Sequence, residues 1–172
     1  RSASNDAERF KPIARELDQS GRFPEELVRE MAALGLMGIF VPEEFGGAGA
    51  SATAYIYAIY EISKACASTG VILSAHTSLC IYPILKHGTP AQKEQYLKKL
   101  ASGEWLGAYA LTEPGSGSDA ANLNTVYVDK GDHYEINGTK LFVTNGAYAK
   151  ALVVYATRDK AAGHKGISAF LV

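Results

Sequence analysis

Cysteine is scarce: the 172 residues carry only two, Cys66 and Cys80. A pair so placed makes neither a disulfide framework nor a metal-ligand spacing. Both stand in apolar, helix-like stretches, where a buried free thiol is expected, in keeping with a reducing compartment. A surplus of charge is also lacking. Seventeen Lys and Arg against eighteen Asp and Glu leave a net charge of −1. That balance excludes a general field drawing in nucleic acid or an anionic membrane surface, and no basic run of the kind that tracks phosphate backbones occurs. No apolar run approaches about eighteen consecutive residues, so no transmembrane helix is expected. The N-terminus has no signal-peptide layout. The four histidines, His76, His87, His133 and His164, have no ligand spacing, and no metal is expected. No repeat or low-complexity segment interrupts the chain.

What is there reads as a soluble globular protein, 47% apolar and 20% charged, long enough for one domain or two small ones. The first hundred residues carry helical spacing. Phe10, Ile13, Ala14 and Leu17 form one stripe, with Pro12 expected to kink or delay it. Pro24 suits the first position of a second helix, Leu27, Met31 and Leu34 its buried face, and Gly35 its C-terminal cap. Ser51 is placed to cap a third helix with Tyr55, Ile59, Ile62 and Cys66 in a row. Residues 71–86 read as a largely buried helix in which Pro83 departs from ideal. Thr89 and Gln92 make a capping box around Pro90, and Tyr96, Leu97 and Leu100 face the core.

Composition changes near Gly103. Strand-like runs follow at 106–112, 125–129, 133–136, 140–144, 152–157 and 167–172, with Asn137-Gly138 as a hairpin signal. The expected fold is α+β: an all-α helical bundle domain over 1–104, then an incomplete β-barrel or sandwich over 105–172.

Where the first strand-like run ends, the sequence reads Tyr109-Ala-Leu-Thr-Glu-Pro-Gly-Ser-Gly-Ser-Asp119. Glycines at 115 and 117 alternate with the hydroxyls of Ser116 and Ser118. Glycine lets backbone approach a ligand closely, and successive N–H groups with Thr112, Ser116 and Ser118 can cup an anion or a polar ring edge. A solvated turn after a strand explains the same composition. Gly115-Ser-Gly117 matches part of a dinucleotide fingerprint, but the third glycine and the βαβ unit are missing.

The order of residues adds more. The segment resembles the signature of the acyl-CoA dehydrogenase family. Three more segments are similar to family motifs, in the same order: Gly35-Leu-Met-Gly-Ile-Phe-Val-Pro-Glu-Glu-Phe-Gly-Gly47, Gly88-Thr-Pro-Ala-Gln-Lys-Glu-Gln-Tyr-Leu97 and Asn137-Gly-Thr-Lys-Leu-Phe-Val-Thr-Asn-Gly146. The resemblance covers nearly the whole chain.

The resemblance implies FAD as cofactor and α,β-dehydrogenation of an acyl-CoA thioester, with electrons passed to an electron-transfer flavoprotein. It implies flavin contacts from Tyr109, Leu111, Thr112, Gly117 and Ser118, and from Phe142, Val143 and Thr144 in the expected hairpin. Ser118 would also touch the acyl-CoA. Each residue has a plainer reading: Phe142 as core, Thr144 as the start of a turn, Asp119 as a cap. Glu113 is set aside as a base, because the family's catalytic glutamate belongs to a C-terminal helical domain. Residues 74–84 are expected to line the acyl pocket, with Leu79 and Tyr82 as candidates for limiting chain length, and the 79–86 region has a short-chain, butyryl-like look.

The chain starts at Arg1 and stops at Val172 within a strand-like run, and the expectation is a portion of a longer protein that lacks the base and is inactive alone. For the complete protein the resemblance implies a homotetramer, soluble in the bacterial cytoplasm or the mitochondrial matrix. An acyl-CoA oxidase or related flavoprotein on the same scaffold, and a non-catalytic flavin- or acyl-CoA-binding module, are the alternatives.

Overall fold

The computed structural model describes residues 11–172. Phe10, in the first expected stripe, lies outside them. Helix α1 (Lys11–Ser20) buries Leu17, and α2 (Glu25–Ala33) buries Leu27 and Met31. Pro24 stands one position earlier than expected, at the N-cap of α2 rather than its first helical position. Gly35 closes that helix with φ of 74°, a left-handed corner that suits glycine, and its N–H donates to the Ala32 carbonyl. Helix α3 (Ala52–Ala65) begins at Ser51, whose hydroxyl accepts the Ala54 N–H at 3.2 Å. Its inward row of Tyr55, Ile59, Ile62 and Cys66 is half-buried to buried, as its spacing requires.

Next comes a longer helix than the sequence suggested: α4 (Ala67–Ser74), a π-helical stretch Ala75–Ile81, and α5 (Tyr82–His87), continuous through both junctions. Pro83 has no N–H for the ordinary ladder, and the wider π stretch ends two residues before it. By length and composition alone, Ala67–His87 could cross a membrane, with mean hydropathy 1.3. It is a core helix here: Thr69, Leu73, His76, Cys80 and Ile81 are all fully buried. Helix α6 (Pro90–Ala101) opens with both bonds of the Thr89–Gln92 capping box, at 2.8 and 3.2 Å.

The sheet has strands β1 (Gly107–Ala110), β2 (Val126–Asp129), β3 (Tyr134–Asn137), β4 (Ala151–Thr157) and β5 (Ile167–Leu171). Their order is β1-β4-β2-β3, with β5 on β4. Strand β4 runs parallel to β1, pairing Gly107 with Ala151 through Ala110 with Val154, and antiparallel to β5. The sheet is open and does not close into a barrel. Val153 and Ala151 of β4 pack with Ile81, Ile84, Leu97 and Leu100, so the sheet and the last helices share one core.

Two strand-level expectations fail. Residues 140–144 form a loop, not a strand, and the Asn137-Gly138 hairpin does not form. The β2–β3 turn instead lies at 130–133, where Gly131 takes φ of 93° and its N–H donates to the Asp129 carboxylate. Gly138 serves close approach: a Cβ there would come within 2.2 Å of the Thr125 hydroxyl oxygen.

His76 ties helices to sheet. Its Nδ1 accepts the Gly107 N–H at 2.8 Å, which leaves Nε2–H to donate to the Leu100 carbonyl at 3.1 Å. Burial holds its pKa down at about 4, so the folded protein keeps it neutral. The unfolded chain protonates it near 6.5. Its contribution is therefore complete above pH 6.5 and is lost as pH falls towards 4, at roughly 1.4 kcal/mol per pH unit. Urea unfolding at pH 7 and pH 5 should show a loss of about 2 kcal/mol that shrinks markedly in His76→Gln. An equal loss in the variant would assign the effect to other groups.

Candidate functional site

Strand β1 leaves the sheet at Ala110, and the next residues meet the loop that precedes β4. The join is explicit: the Leu141 N–H donates to the Thr112 carbonyl at 2.8 Å. Between them lies a cavity of about 190 Å³ lined by Tyr109, Leu111, Thr112, Leu141, Phe142 and Thr144, with Ala75 and Leu79 from the π-helical stretch. The structure thus brings together five of the eight residues singled out from sequence, and Leu79 of the expected acyl-pocket segment. Tyr82 is not on this wall; it is half exposed and edge-on to Phe40. Val143 is half-buried, and its carbonyl accepts the Gly146 N–H.

Phe142 decides between core and site. It is 88% exposed and has φ of 54°, a left-handed conformation that costs a bulky residue of order 1–2 kcal/mol. A core phenylalanine has neither property. The loop holds it there through Asn145, whose φ is 68° and whose amide Nδ2 donates to the carbonyls of Ile72 and Gly107, both at 3.1 Å. Asn145→Ala should therefore destabilise more than Asn145→Gly by about 1 kcal/mol, because glycine keeps the corner while both lose the anchor. Equal Tm values would show that the corner relaxes.

Polar groups are sparse at this cavity. Among the described residues, neither the Thr112 nor the Thr144 hydroxyl makes a side-chain hydrogen bond. Burial, and then the neighbouring Tyr155, push the Tyr109 phenol up to about 12, so it remains a neutral donor. Among the described residues, no carboxylate lines the cavity.

The nearest acid in sequence is Glu113, whose side chain is 1% exposed. It accepts the N–H groups of Asn124 and Thr125 and the Lys140 ammonium. Burial alone would raise its pKa, but those donors outweigh it and hold the carboxyl at about 2. The turn beyond it closes through Glu113 and Ser116, with the Ser116 hydroxyl donating to the Asp119 carbonyl at 2.7 Å. Gly117 and Ser118 are exposed on that turn and lie off the cavity wall.

Lys140 and Asn145 carry no role of their own in the sequence reading, whereas Ala75 belongs to the 74–84 segment expected to line the acyl pocket. Lys140 and Asn145 both stand in the segment 137–146 that resembles a family motif, and that was the signal available for them. A second, larger cavity of about 830 Å³ lies behind Thr144, lined by Arg22, Phe23, Ser68, Thr69, Ile72 and Tyr148 among others. Arg22 there is already engaged by Glu16 and Glu26 at 2.7 and 2.6 Å. It also carries more polar side chains than the first, with Asp18, Cys66, Ser68 and Thr69 on its wall besides Arg22.

Two family models match the chain. Residues 6–104 match "Acyl-CoA dehydrogenase, N-terminal domain" and residues 108–172 match "Acyl-CoA dehydrogenase, middle domain". A short-chain specific acyl-CoA dehydrogenase of Clostridium acetobutylicum is 54% identical over 162 residues, covering 94% of this chain and 43% of that protein. A chain from the structure of the electron transferring flavoprotein of Acidaminococcus fermentans superposes with a TM-score of 0.94 at 44% identity, over 99% of this chain and 45% of that one. A glutaryl-CoA dehydrogenase of Mycobacterium smegmatis in complex with FADH2 superposes with a TM-score of 0.91 at 32% identity, over 99% of this chain and 43% of that one. The chain spans less than half the length of these proteins.

Proposed function

We propose, for a chain that belongs to the acyl-CoA dehydrogenase family, that it supplies part of the flavin site of an enzyme oxidising a short acyl-CoA. The carrying observation is Phe142, exposed and held left-handed beside a cavity that also presents the Thr112 and Thr144 hydroxyls. These features suit one edge of a flat, apolar ring with polar atoms at its rim. The cavity is smaller than typical whole-ligand pockets of roughly 300–1,000 Å³, so it suits an edge of the ring rather than a whole dinucleotide.

FAD is the cofactor this reading assigns, and when bound it supplies the acceptor for the substrate's β-hydride. The residues here do the holding. Phe142 would pack against the ring, Thr112 and the Leu111 backbone would hold its polar edge, and Thr144 would supply a further donor. Backbone N–H groups at Gly117 and Ser118 would hold the diphosphate, and Ser118 would also touch the acyl-CoA. Ala75 and Leu79 give the acyl chain an apolar wall. A short acyl group and an electron-transfer flavoprotein as acceptor are supported by the relatives' descriptions.

Thr144→Val tests this in the complete polypeptide that carries the sequence. It removes one donor while nearly keeping shape. The expected result is a shifted flavin potential or a slower reductive half-reaction. An unchanged potential and reduction rate would remove Thr144 from the site.

A further inference from the structure

Glu113 and Lys140 are 27 residues apart in sequence and form an ion pair of 2.7 Å, with side chains 1% and 10% exposed. The flavin reading above gives this pair no task. Its position is specific. Glu113 is bonded covalently to Thr112 on one wall of the cavity, and Lys140 to Leu141 on the other. The Lys140 ammonium also donates to the Leu111 carbonyl at 3.0 Å, beside the Leu141-to-Thr112 backbone bond at 2.8 Å. Glu113 in turn holds Asn124 and Thr125 through their N–H groups, and so fixes the far end of the 113–125 loop. One buried cation therefore touches both strands of chain that form the cavity rim.

We propose that Lys140, anchored by Glu113, is a positioning residue that joins the two walls of the flavin pocket and sharpens the Thr112 N–H as a donor. The proposal rests on the flavin reading. The physical reason has two parts. A buried ammonium fixed by a carboxylate and a carbonyl has little freedom, so the spacing of Leu111 and Leu141 is set before a ligand arrives. An ammonium on the Leu111 carbonyl also polarises the Leu111–Thr112 peptide, whose other end is the Thr112 N–H. A stronger donor at that rim favours the more negative, reduced ring.

The pair also matters for folding, because removing one partner leaves a buried charge without compensation. Four variants of the complete flavoprotein separate the roles: Lys140→Met, Lys140→Arg, Glu113→Gln, and Glu113→Gln with Lys140→Met. Each is measured for Tm, for Kd of FAD by titration of the apoprotein, and for flavin midpoint potential.

Lys140→Met should lose stability and bind FAD at least tenfold more weakly. Its preference for reduced over oxidised flavin should fall about tenfold, which for a two-electron couple is about 30 mV. Lys140→Arg should recover most of both, and Glu113→Gln should lie between parent and Lys140→Met. The double variant is decisive, since it removes the stranded charge: it should regain Tm without regaining affinity or potential. Parental Kd and potential in the double variant would overturn the proposal and leave the pair a folding device; this holds even if Lys140→Met alone does not fold.

If the parent itself takes up no FAD, the flavin reading fails, and the join is judged without it. Amide hydrogen exchange in the apoprotein should then speed up at 111–112 and 140–144 in the double variant, relative to β2 and β3. Unchanged exchange there would overturn the join.

Discussion

Gly117→Val is expected to fold like the parent and to lose its flavin. A Cβ built at Gly117 meets nothing within 4 Å, and the residue is not held in a left-handed conformation. Neither crowding nor backbone strain within the protein therefore opposes the substitution. If the N–H groups of 117 and 118 approach a diphosphate, a branched side chain stands where the phosphate oxygens belong. An affinity loss of at least about 100-fold, near 2.7 kcal/mol, is expected. The measurement is the flavin-to-protein absorbance ratio of the purified complete polypeptide, with circular dichroism to confirm the fold. Full occupancy would mean that Gly117 serves only the turn.

The second large effect is an absence of chemistry. The 172-residue chain, loaded with FAD, should show no bleaching of the flavin band when mixed anaerobically with butyryl-CoA. Removing the α-proton needs a base within hydrogen-bond reach or one water away. Among the described residues, no carboxylate lines the cavity. Glu113, one residue from it, is fully buried, accepts three donors and is held at about 2. A carboxylate so stabilised as the anion is a poor proton acceptor. A missing general base lowers the rate by about 10²–10⁴-fold, enough to remove rapid bleaching. Rapid bleaching that disappears in Glu113→Gln would contradict both the geometry and the assignment of Glu113.

The helical half was legible because its signals are local. The Ser51 cap, the Thr89–Gln92 box and the Gly35 corner each depend on residues within one turn. The π-helical stretch was not legible beyond the irregularity at Pro83, since its register depends on what the helix packs against. The loop at 140–144 reads as a strand in the sequence for a related reason. Leu141, Phe142 and Val143 have strand-like composition, and nothing local says that Phe142 turns left-handed. That conformation is imposed from a distance, by Asn145 reaching Ile72 and Gly107 and by Leu141 bonding Thr112.

The candidate site was partly legible for the opposite reason. Tyr109, Leu111, Thr112, Phe142 and Thr144 were recognisable through motif order, and the cavity does bring them together. Lys140 was legible as a member of the 137–146 motif but its task was not, because its partner lies 27 residues away. In the sequence His76, like the other histidines, has no ligand spacing. Its ring is instead spent on two backbone groups that join helix α6 to strand β1.

The placement of the flavin is tested most directly by following backbone amide resonances of the 172-residue chain during titration with FAD. Two cavities compete, and Thr144 borders both. The expected result is that amides at 109–112 and 141–144 shift together and saturate with a single Kd, while those of β2 and β3 stay fixed. Shifts confined to Arg22, Phe23 and Ser68–Ile72, with 109–112 unmoved, would put the ligand in the larger cavity and contradict the assignment of the site.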